Sequence, residues 1–491
     1  MILINPKFNR IEKLGIFSRY VPISLPISLG TLAGNLIAHG KQAKILDDQI
    51  TTINEQVLNE SVKDMSRPYI FGLSCYTAGV GRGYEISKLI KNLYQDSYVV
   101  MGGIHPTVMP DEVLSHNEVD IVMRREADET IITLYDALKL GHDYRDIGGI
   151  SFRDENNNIV HNHDAPVLAD LDSLPPYPYH LFEEHIDKYS LGFILSSRGC
   201  PYNCIFCSQI RISGRNYRAT SPDRVIEELD ILINKHKQTN ISFFDDNFVV
   251  NGERTKNVCN LIYENGFHKK AVFSCQTRGD AIDEEILHYF KKANFQAVSF
   301  GLETGSDNLM KLINKNEVVA DNIRAVKLVK KFGLKVGGSF IFGLPTESRK
   351  ERVLGMKLAK DLDLDYARFN NATPYPGTEL YNIAVREGRL NAGKNWDNLS
   401  AVGTFVEGPF NRAPLAYCPE TSTEKELRQD ILRANFFFWL RPKMVFRLLK
   451  ERSVSGGWFY LPPKWYLNPK EWFNILRLGF RVIFSFLKIF I

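Results

Sequence analysis

Net charge is the first thing this chain lacks. Lys and Arg total 61 against 57 Asp and Glu, a formal balance of +4 over 491 residues, too small to make nucleic acid the expected partner. Cysteine is sparse, odd in number at seven, and mostly scattered; a chain this long needs no disulfide stapling, so the count fits a reducing cytoplasm. The opening Met1–Arg10 has no basic segment leading to a small-residue cleavage site, so no secretory signal is expected. Internal repeats and low-complexity tracts are also missing. Apolar residues are not: they make up 44% of the chain, with 12% aromatic, which excludes disorder for most of it. At roughly 150 residues per domain the length allows about three units.

The first stretch alternates short apolar runs with helical patterns. Runs at Ile2–Ile4, Ala43–Leu46, Tyr69–Ser74, Tyr98–Met101 and Val119–Met123 are separated by helical periodicity over Ser28–Ala38 and Tyr84–Leu93. Strand and helix in alternation predict a doubly wound, Rossmann- or flavodoxin-like parallel sheet over 1–140. Gly40 stands where a helix C-cap is wanted. Two turn-rich segments, Ser74–Thr77 and Gly102–Thr107, follow strands at their C-terminal ends, where open α/β sheets hold ligands. Residues 141–189 read as a linker with a hairpin, stiffened by Leu174-Pro175-Pro176-Tyr177-Pro178.

Alternation resumes over 190–400 with strands at Phe193–Ser196, Ile241–Phe244, Ala271–Gln276, Ala297–Gly301, Lys335–Phe342 and Asp365–Asn370. Six strand–helix units predict a partial (β/α)6 barrel with its active face at the strand C-termini. Ser221 followed by Pro222 marks a helix start. Residues 401–491 form an extension, mainly helical and rich in aromatic and basic residues.

Three of the seven cysteines, Cys200, Cys204 and Cys207, lie within eight residues directly after the first barrel strand. Three thiolates on a short loop suit three irons of a four-iron four-sulfur cube, leaving the fourth iron open to a small chelating molecule. Structural zinc wants four ligands, and no further Cys or paired His follows at finger spacing.

At Cys200-x3-Cys204-x2-Cys207, with the aromatic Phe206 before the last cysteine, the sequence resembles the radical S-adenosylmethionine (SAM) enzymes. The resemblance implies that the amine and carboxylate of SAM chelate the open iron and that reductive cleavage yields a 5′-deoxyadenosyl radical. It further implies roles for residues at the later strand ends. Asp245 or Asp246 would accept from the methionyl ammonium, although a carboxylate there also suits a helix N-cap. Arg278 would touch the cofactor carboxylate. Glu303 would hold the ribose hydroxyls, its alternative being a solvated strand-end charge. Gly338 and Gly343, in Gly338–Glu347, would let the adenine lie against bare backbone.

The first domain resembles the cobalamin-binding domain that precedes the radical half in one large subfamily. The residues carrying this likeness are Pro26, Leu29–Ala33, Gly40, Asp47, the Ser74–Thr77 turn and Gly102–Thr107. Thr373–Tyr381 is that subfamily's signature after the sixth strand. The likeness covers about residues 1–390 and is close to the group containing the anaerobic Mg-protoporphyrin cyclase and class B radical SAM methylases. It implies cobalamin beside Ser74, Thr77, Gly102, Gly103 and His105, with His105 packing or bonding at the periphery rather than ligating cobalt. No Asp-x-His-x-x-Gly is present. Where relatives carry Gly-Glu-Gly-Glu this chain has Arg125-Glu126-Ala127-Asp128, so a turn needing positive φ is expected to be rebuilt.

The implied activity is a cobalamin-dependent methyl transfer to an unactivated carbon of a small-molecule or lipid-like substrate, with a flavodoxin- or ferredoxin-type reductant as partner. The alternatives are a radical cyclase or rearrangement enzyme using cobalamin without methyl transfer, and a non-catalytic iron–sulfur or cobalamin-binding protein. In the tail, Arg477, Arg481 and Lys488 fall within about 40° on a helical wheel of otherwise apolar 472–491. That pattern suits a helix lying on a membrane surface or packed on protein, and excludes a spanning one.

Overall fold

The computed structural model describes residues 1–8, 23–400 and 414–444, together with Phe446, Phe473 and Arg477. The expected stripe on 472–491 therefore lies outside the described residues, apart from those two isolated positions. No described helix is long and apolar enough to cross a membrane.

The N-terminal sheet contains β1 (Ile2–Asn5), β2 (Lys44–Asp47), β3 (Ile70–Ser74), β4 (Tyr98–Gly102), β5 (Ile121–Met123), β6 (Ile150–Arg153) and β7 (Ile159–His161). Their order is β2-β1-β3-β4-β5-β6-β7. The first five are parallel and the last two antiparallel. The hairpin expected in the linker thus continues this sheet past Leu140 as its antiparallel edge. Helices Ile27–Ala38 and Val80–Leu93 cover the sheet, as the alternation of periods dictates, and Glu55–Val62 and Thr130–Leu140 add two that the periodicity did not reveal. Gly40, at φ +72°, adopts the left-handed conformation a helix end requires.

Helix Ile27–Ala38 presents a smooth face. A Cβ on Gly30 would collide with the Tyr177 hydroxyl, and one on Gly34 would sit 3.2 Å from the Pro178 ring. The Pro-rich linker therefore lies directly on this helix. The Leu29–Ala33 motif serves this docking through Gly30.

The second sheet is β8 (Phe193–Ile194), β9 (Asn240–Phe243), β10 (Val272–Thr277), β11 (Phe295–Glu303), β12 (Lys335–Phe342) and β13 (Tyr366–Asn371). All are parallel and lie in sequence order. Among the described residues β8 does not pair with β13, so the barrel stays open, as the six-unit count predicts. Its core is aromatic: Phe290 and Phe295 stack at 4.3 Å, and Phe243, Phe248 and Phe273 complete the cluster. Each such burial is worth about 1.5–3 kcal/mol. Ser221 caps helix Pro222–Asp230 by accepting from the Arg224 amide, as its position before Pro222 predicts.

Helix Glu424–Trp439 closes the far edge beside β13. Asn435 donates to the Phe369 carbonyl at 2.9 Å, and fully buried Arg352 bonds Asp430 at 3.0 Å and Ser422 at 2.9 Å. This part of the extension is helical, as expected.

Candidate functional site

The three cysteines occupy the loop after β8. Gly199 makes the entry possible: its φ is +83°, and a side chain there would run into the Asn216 carbonyl. The loop is gripped on several sides. The Ile205 amide donates to Ile313 O at 3.1 Å, the Leu380 amide to Ile205 O at 2.9 Å, and Asn314 Nδ2 to Asn203 O at 2.9 Å. Phe206 packs into a satellite core with Leu309, Met310, Leu344 and Leu380. The Thr373–Tyr381 signature thus acts partly as a clamp, because Leu380 and Gly377 belong to it and Arg211 donates to Gly377 O at 2.5 Å.

All three thiols are unpaired and half-buried. Burial pushes Cys207 up to about 12 and raises Cys200 and Cys204, while Lys315 and Arg278 pull the latter two back. Among the described residues no three His, Cys, Asp or Glu side chains converge on a single-ion site. One zinc would need its sulfurs gathered within bonding reach of one atom, whereas a cube spreads its thiolates over separate irons. The three-thiolate donor set fits a four-iron four-sulfur cluster.

Asp245 and Asp246 at the end of β9 separate sharply. Asp245 is buried and accepts from the Ser196 amide at 2.9 Å, Ser196 Oγ at 3.1 Å and Ser197 Oγ at 2.5 Å. It ties β9 to the strand before the thiol loop. Asp246 is open to an internal cavity, yet the surrounding protein and neighbouring Asp245 push it up to about 6. Of the pair, only Asp246 lines the cavity.

Arg278 and Glu303 meet through a residue the sequence reading missed. Lys315, buried in the loop between helices Asp307–Leu312 and Val319–Lys331, places Nζ 3.1 Å from Glu303 Oε1. Burial works against the Lys315 ammonium, but the neighbouring negative charges, Glu303 first, outweigh it and hold the lysine above its ordinary value. Glu303 holds φ +56°, strained for a non-glycine. The space a Cβ would take on Gly301 is occupied by the charged ends of Glu303 and Lys315, so a side chain there would displace the pair. Arg278 directs its guanidinium to Asp280 at 2.8 and 3.0 Å and to the Lys315 and Asn316 carbonyls at 2.7 and 3.2 Å, and it stacks on Tyr202 of the thiol loop at 3.6 Å. Four of its five N–H donors are thus taken by protein acceptors, and its stacking ties it to that loop. The signal for Lys315 was its place in an Asn-Lys-Asn turn, uninformative until the strand ends converged.

Gly338 and Gly343 sit differently from expectation. The space a Cβ would take on Gly338 is already filled by Leu302 and Leu364, and on Gly343 by Leu427 and Asn371. Both make room for packing, Gly343 against the C-terminal helix in a left-handed turn at φ +84°. The Gly343 amide donates to buried Glu347, which closes that turn.

On the N-terminal sheet, Gly103 has φ +95° and ψ −170°, and a Cβ would stand 3.0 Å from both N and O of Cys75. Only glycine holds that turn. Ser74, Gly102 and Gly103 line the cavity, and Tyr76 projects into it with 69% of its surface open. Thr77 is buried off the cavity wall. His105 does not reach the cavity: it is wholly buried, with Nε2 3.0 Å from Glu112 Oε2 and its ring 5.2 Å from Trp396. Glu112 also accepts from Tyr84 at 2.6 Å and Trp396 Nε1 at 3.2 Å. Packing, not cofactor contact, is its structural setting.

The cavity has a volume of about 370 Å³ and lies between the carboxyl ends of the N-terminal sheet and the first two strands of the barrel, β8 and β9. One wall is Ser74, Tyr76, Gly102, Gly103 and the Arg125–Asp128 turn; another is Leu195, Ser197, Arg198, Gln209 and Asp246. Ser197–Arg198 and Gln209 bracket the thiol loop in sequence. Tyr177 Oη, also on the wall, is buried without a partner. A cavity at the carboxyl ends of a doubly wound sheet lies where such folds hold a ligand.

Comparison with known proteins agrees with this geometry. The B12 binding domain family model matches residues 16–134, and the radical SAM superfamily model matches residues 194–359. An uncharacterized methyltransferase of Pyrococcus horikoshii is 32% identical over 432 residues, covering 87% of this chain and 90% of its own. The hopanoid C-3 methylase of Methylococcus capsulatus is 23% identical over 455 residues, covering 90% and 83%. The structure of the radical SAM methyltransferase TsrM from Kitasatospora setae, with cobalamin and a [4Fe-4S] cluster bound, superimposes with a TM-score of 0.66 at 18% identity, covering 88% of this chain and 81% of that one.

Proposed function

The chain belongs to the family of enzymes that join a B12 binding domain to a radical SAM domain, and from that premise we propose a cobalamin-dependent transfer of a methyl group from SAM to an unactivated carbon. The observation that carries the proposal is a cavity lined on one side by Ser74, Gly102 and Gly103 at the strand ends of the N-terminal sheet and on the other by Ser197, Arg198, Gln209 and Asp246, which flank the thiol loop and the end of β9. A ligand on the N-terminal sheet and one beside the thiol loop then face each other across one space. When bound, the cluster and SAM supply a 5′-deoxyadenosyl radical for hydrogen abstraction, and cobalamin supplies the methyl carrier.

The chain's own residues divide the work. Cys200, Cys204 and Cys207 hold the cluster, and Tyr202, stacked under Arg278, sets the loop's tilt. Lys315 and Glu303 offer a buried cation and anion beside the thiols, suited to the carboxylate and ribose hydroxyls of SAM. Asp246 offers an acceptor on the cavity side. Ser74, Gly102 and Gly103 form the backbone-led turns that accept the corrin, and Tyr76 fills the space beside it. The apolar wall of Leu25, Ile27, Leu171, Leu174 and Val225 excludes water from a radical reaction and favours an apolar, lipid-like substrate. The reductant is a flavodoxin or ferredoxin.

Anaerobic reconstitution with iron, sulfide, cobalamin and SAM tests the reading. Stoichiometric cobalamin binding with formation of both S-adenosylhomocysteine and 5′-deoxyadenosine is the expected result. Deoxyadenosine without S-adenosylhomocysteine would leave a radical enzyme that transfers no methyl group.

A further inference from the structure

The turn after β5 crosses from one unit to the other. Arg198, two residues before Cys200, makes a bidentate contact with Asp128 at 2.6 and 3.2 Å and reaches Glu126 at 3.3 Å. Arg218 makes a second bidentate contact with Glu126, at 2.7 and 2.8 Å. The two arginines are not independent, because Arg198 and Arg218 are directly paired in a short antiparallel ladder, Ser197–Arg198 against Arg218–Ala219. Two cations on one ladder therefore clasp two carboxylates on one turn.

The surroundings make this a rigid connection. The side chains of Glu126 and Asp128 are only 5% and 6% exposed, so both carboxylates are largely withdrawn from bulk water. A planar guanidinium bound through two nitrogens fixes angle as well as distance. The turn is also anchored on its own side. Arg125 holds φ +63°, its amide donates to Thr107 Oγ1 at 2.8 Å, and its guanidinium lies 3.1 Å from Asp164. The turn was expected to be rebuilt for want of glycine; it instead keeps a left-handed residue and holds it by these bonds. Arg125, Glu126, Asp128, Ser197 and Arg198 all line the cavity, and Asp245 grips Ser197 from the barrel side.

We propose that the Arg198–Asp128 and Arg218–Glu126 contacts are positioning contacts that set the distance between the thiol loop and the cofactor face of the N-terminal sheet. The inference rests on the function proposed above, since it gives that distance a purpose: the radical source and the methyl carrier must meet one substrate carbon. The four residues touch no reacting atom.

The test uses the full-length reconstituted protein and two variants, Asp128→Asn, which removes one charge at constant shape, and Arg198→Lys, which keeps the charge and loses the fork. Pulsed electron paramagnetic resonance measures the separation between cob(II)alamin and the reduced cluster. The wild type is expected to give one narrow distance and both variants a broadened or split one, at unchanged iron and cobalamin content. A narrow, unshifted distance in either folded variant overturns the proposal. If the wild type binds no cobalamin, the function proposed above fails, and the latch is read by calorimetry of the full chain: a single transition in the wild type that splits in two in the variants supports it, and coincident transitions in all three proteins overturn it.

Discussion

Lys315 Nζ lies 3.1 Å from Glu303 Oε1, with both side chains below 10% exposure, at the end of β11 and beside the thiol loop. A charge pair so dry is sustained by mutual compensation, and Cys204 adds to the field that keeps Lys315 protonated.

Lys315→Met should therefore destabilise the fold by about 3–5 kcal/mol, because it strands the Glu303 carboxylate. The double variant Lys315→Met, Glu303→Gln should recover most of that loss in urea unfolding while leaving SAM cleavage defective. Full recovery of SAM cleavage in the double variant would remove the pair from the site.

Cys204→Ala should abolish 5′-deoxyadenosine formation and lower bound iron, with near-wild-type secondary structure by circular dichroism. The loop keeps its backbone bonds through Ile205, Asn203 and Leu380, none of which uses the sulfur. Collapse of the fold in this variant would argue that the thiols are structural.

Gly103→Ala should cost about 1–3 kcal/mol in backbone strain, because φ +95° with ψ −170° is a conformation reserved for glycine. The added methyl also meets the Cys75 backbone at 3.0 Å, so the turn must shift. Cobalamin retention on gel filtration is expected to fall while cluster content holds; equal loss of both would point to a global effect.

Glu347 supplies a pH dependence. Burial pushes its carboxyl from 4.5 up to about 8, although the Gly343 amide and Arg352 oppose the shift. The native state then holds the proton more tightly than the unfolded chain, so stability is fully present below about pH 4.5 and falls as pH rises towards 8. Glu347→Gln should flatten that slope in urea midpoints between pH 5.5 and 8.5, and should be the more stable protein at the alkaline end. Parallel slopes for the two proteins would show that Glu347 is ionised in the fold.

The amino-acid sequence by itself determined the two sheets and the cluster loop. Apolar runs and helical periods are local properties, so all eleven parallel strands fall within a residue or two of where the alternation puts them. β8 is cut short, pairing over only Phe193–Ile194 where the run extends to Ser196, because Ser196 and Ser197 turn to bond Asp245. Cysteine spacing is likewise local, and it marked Cys200, Cys204 and Cys207 before any fold was known. Which polar residues share a site was decided only by tertiary structure. Lys315 joins Glu303 across twelve residues and Arg198 meets Asp128 across seventy, distances no periodicity encodes. Glycines told least: Gly338 and Gly343 look alike in sequence to a ligand cradle, yet the missing Cβ in each is taken up by neighbouring side chains. A glycine announces that something comes close, and only the packed chain says what.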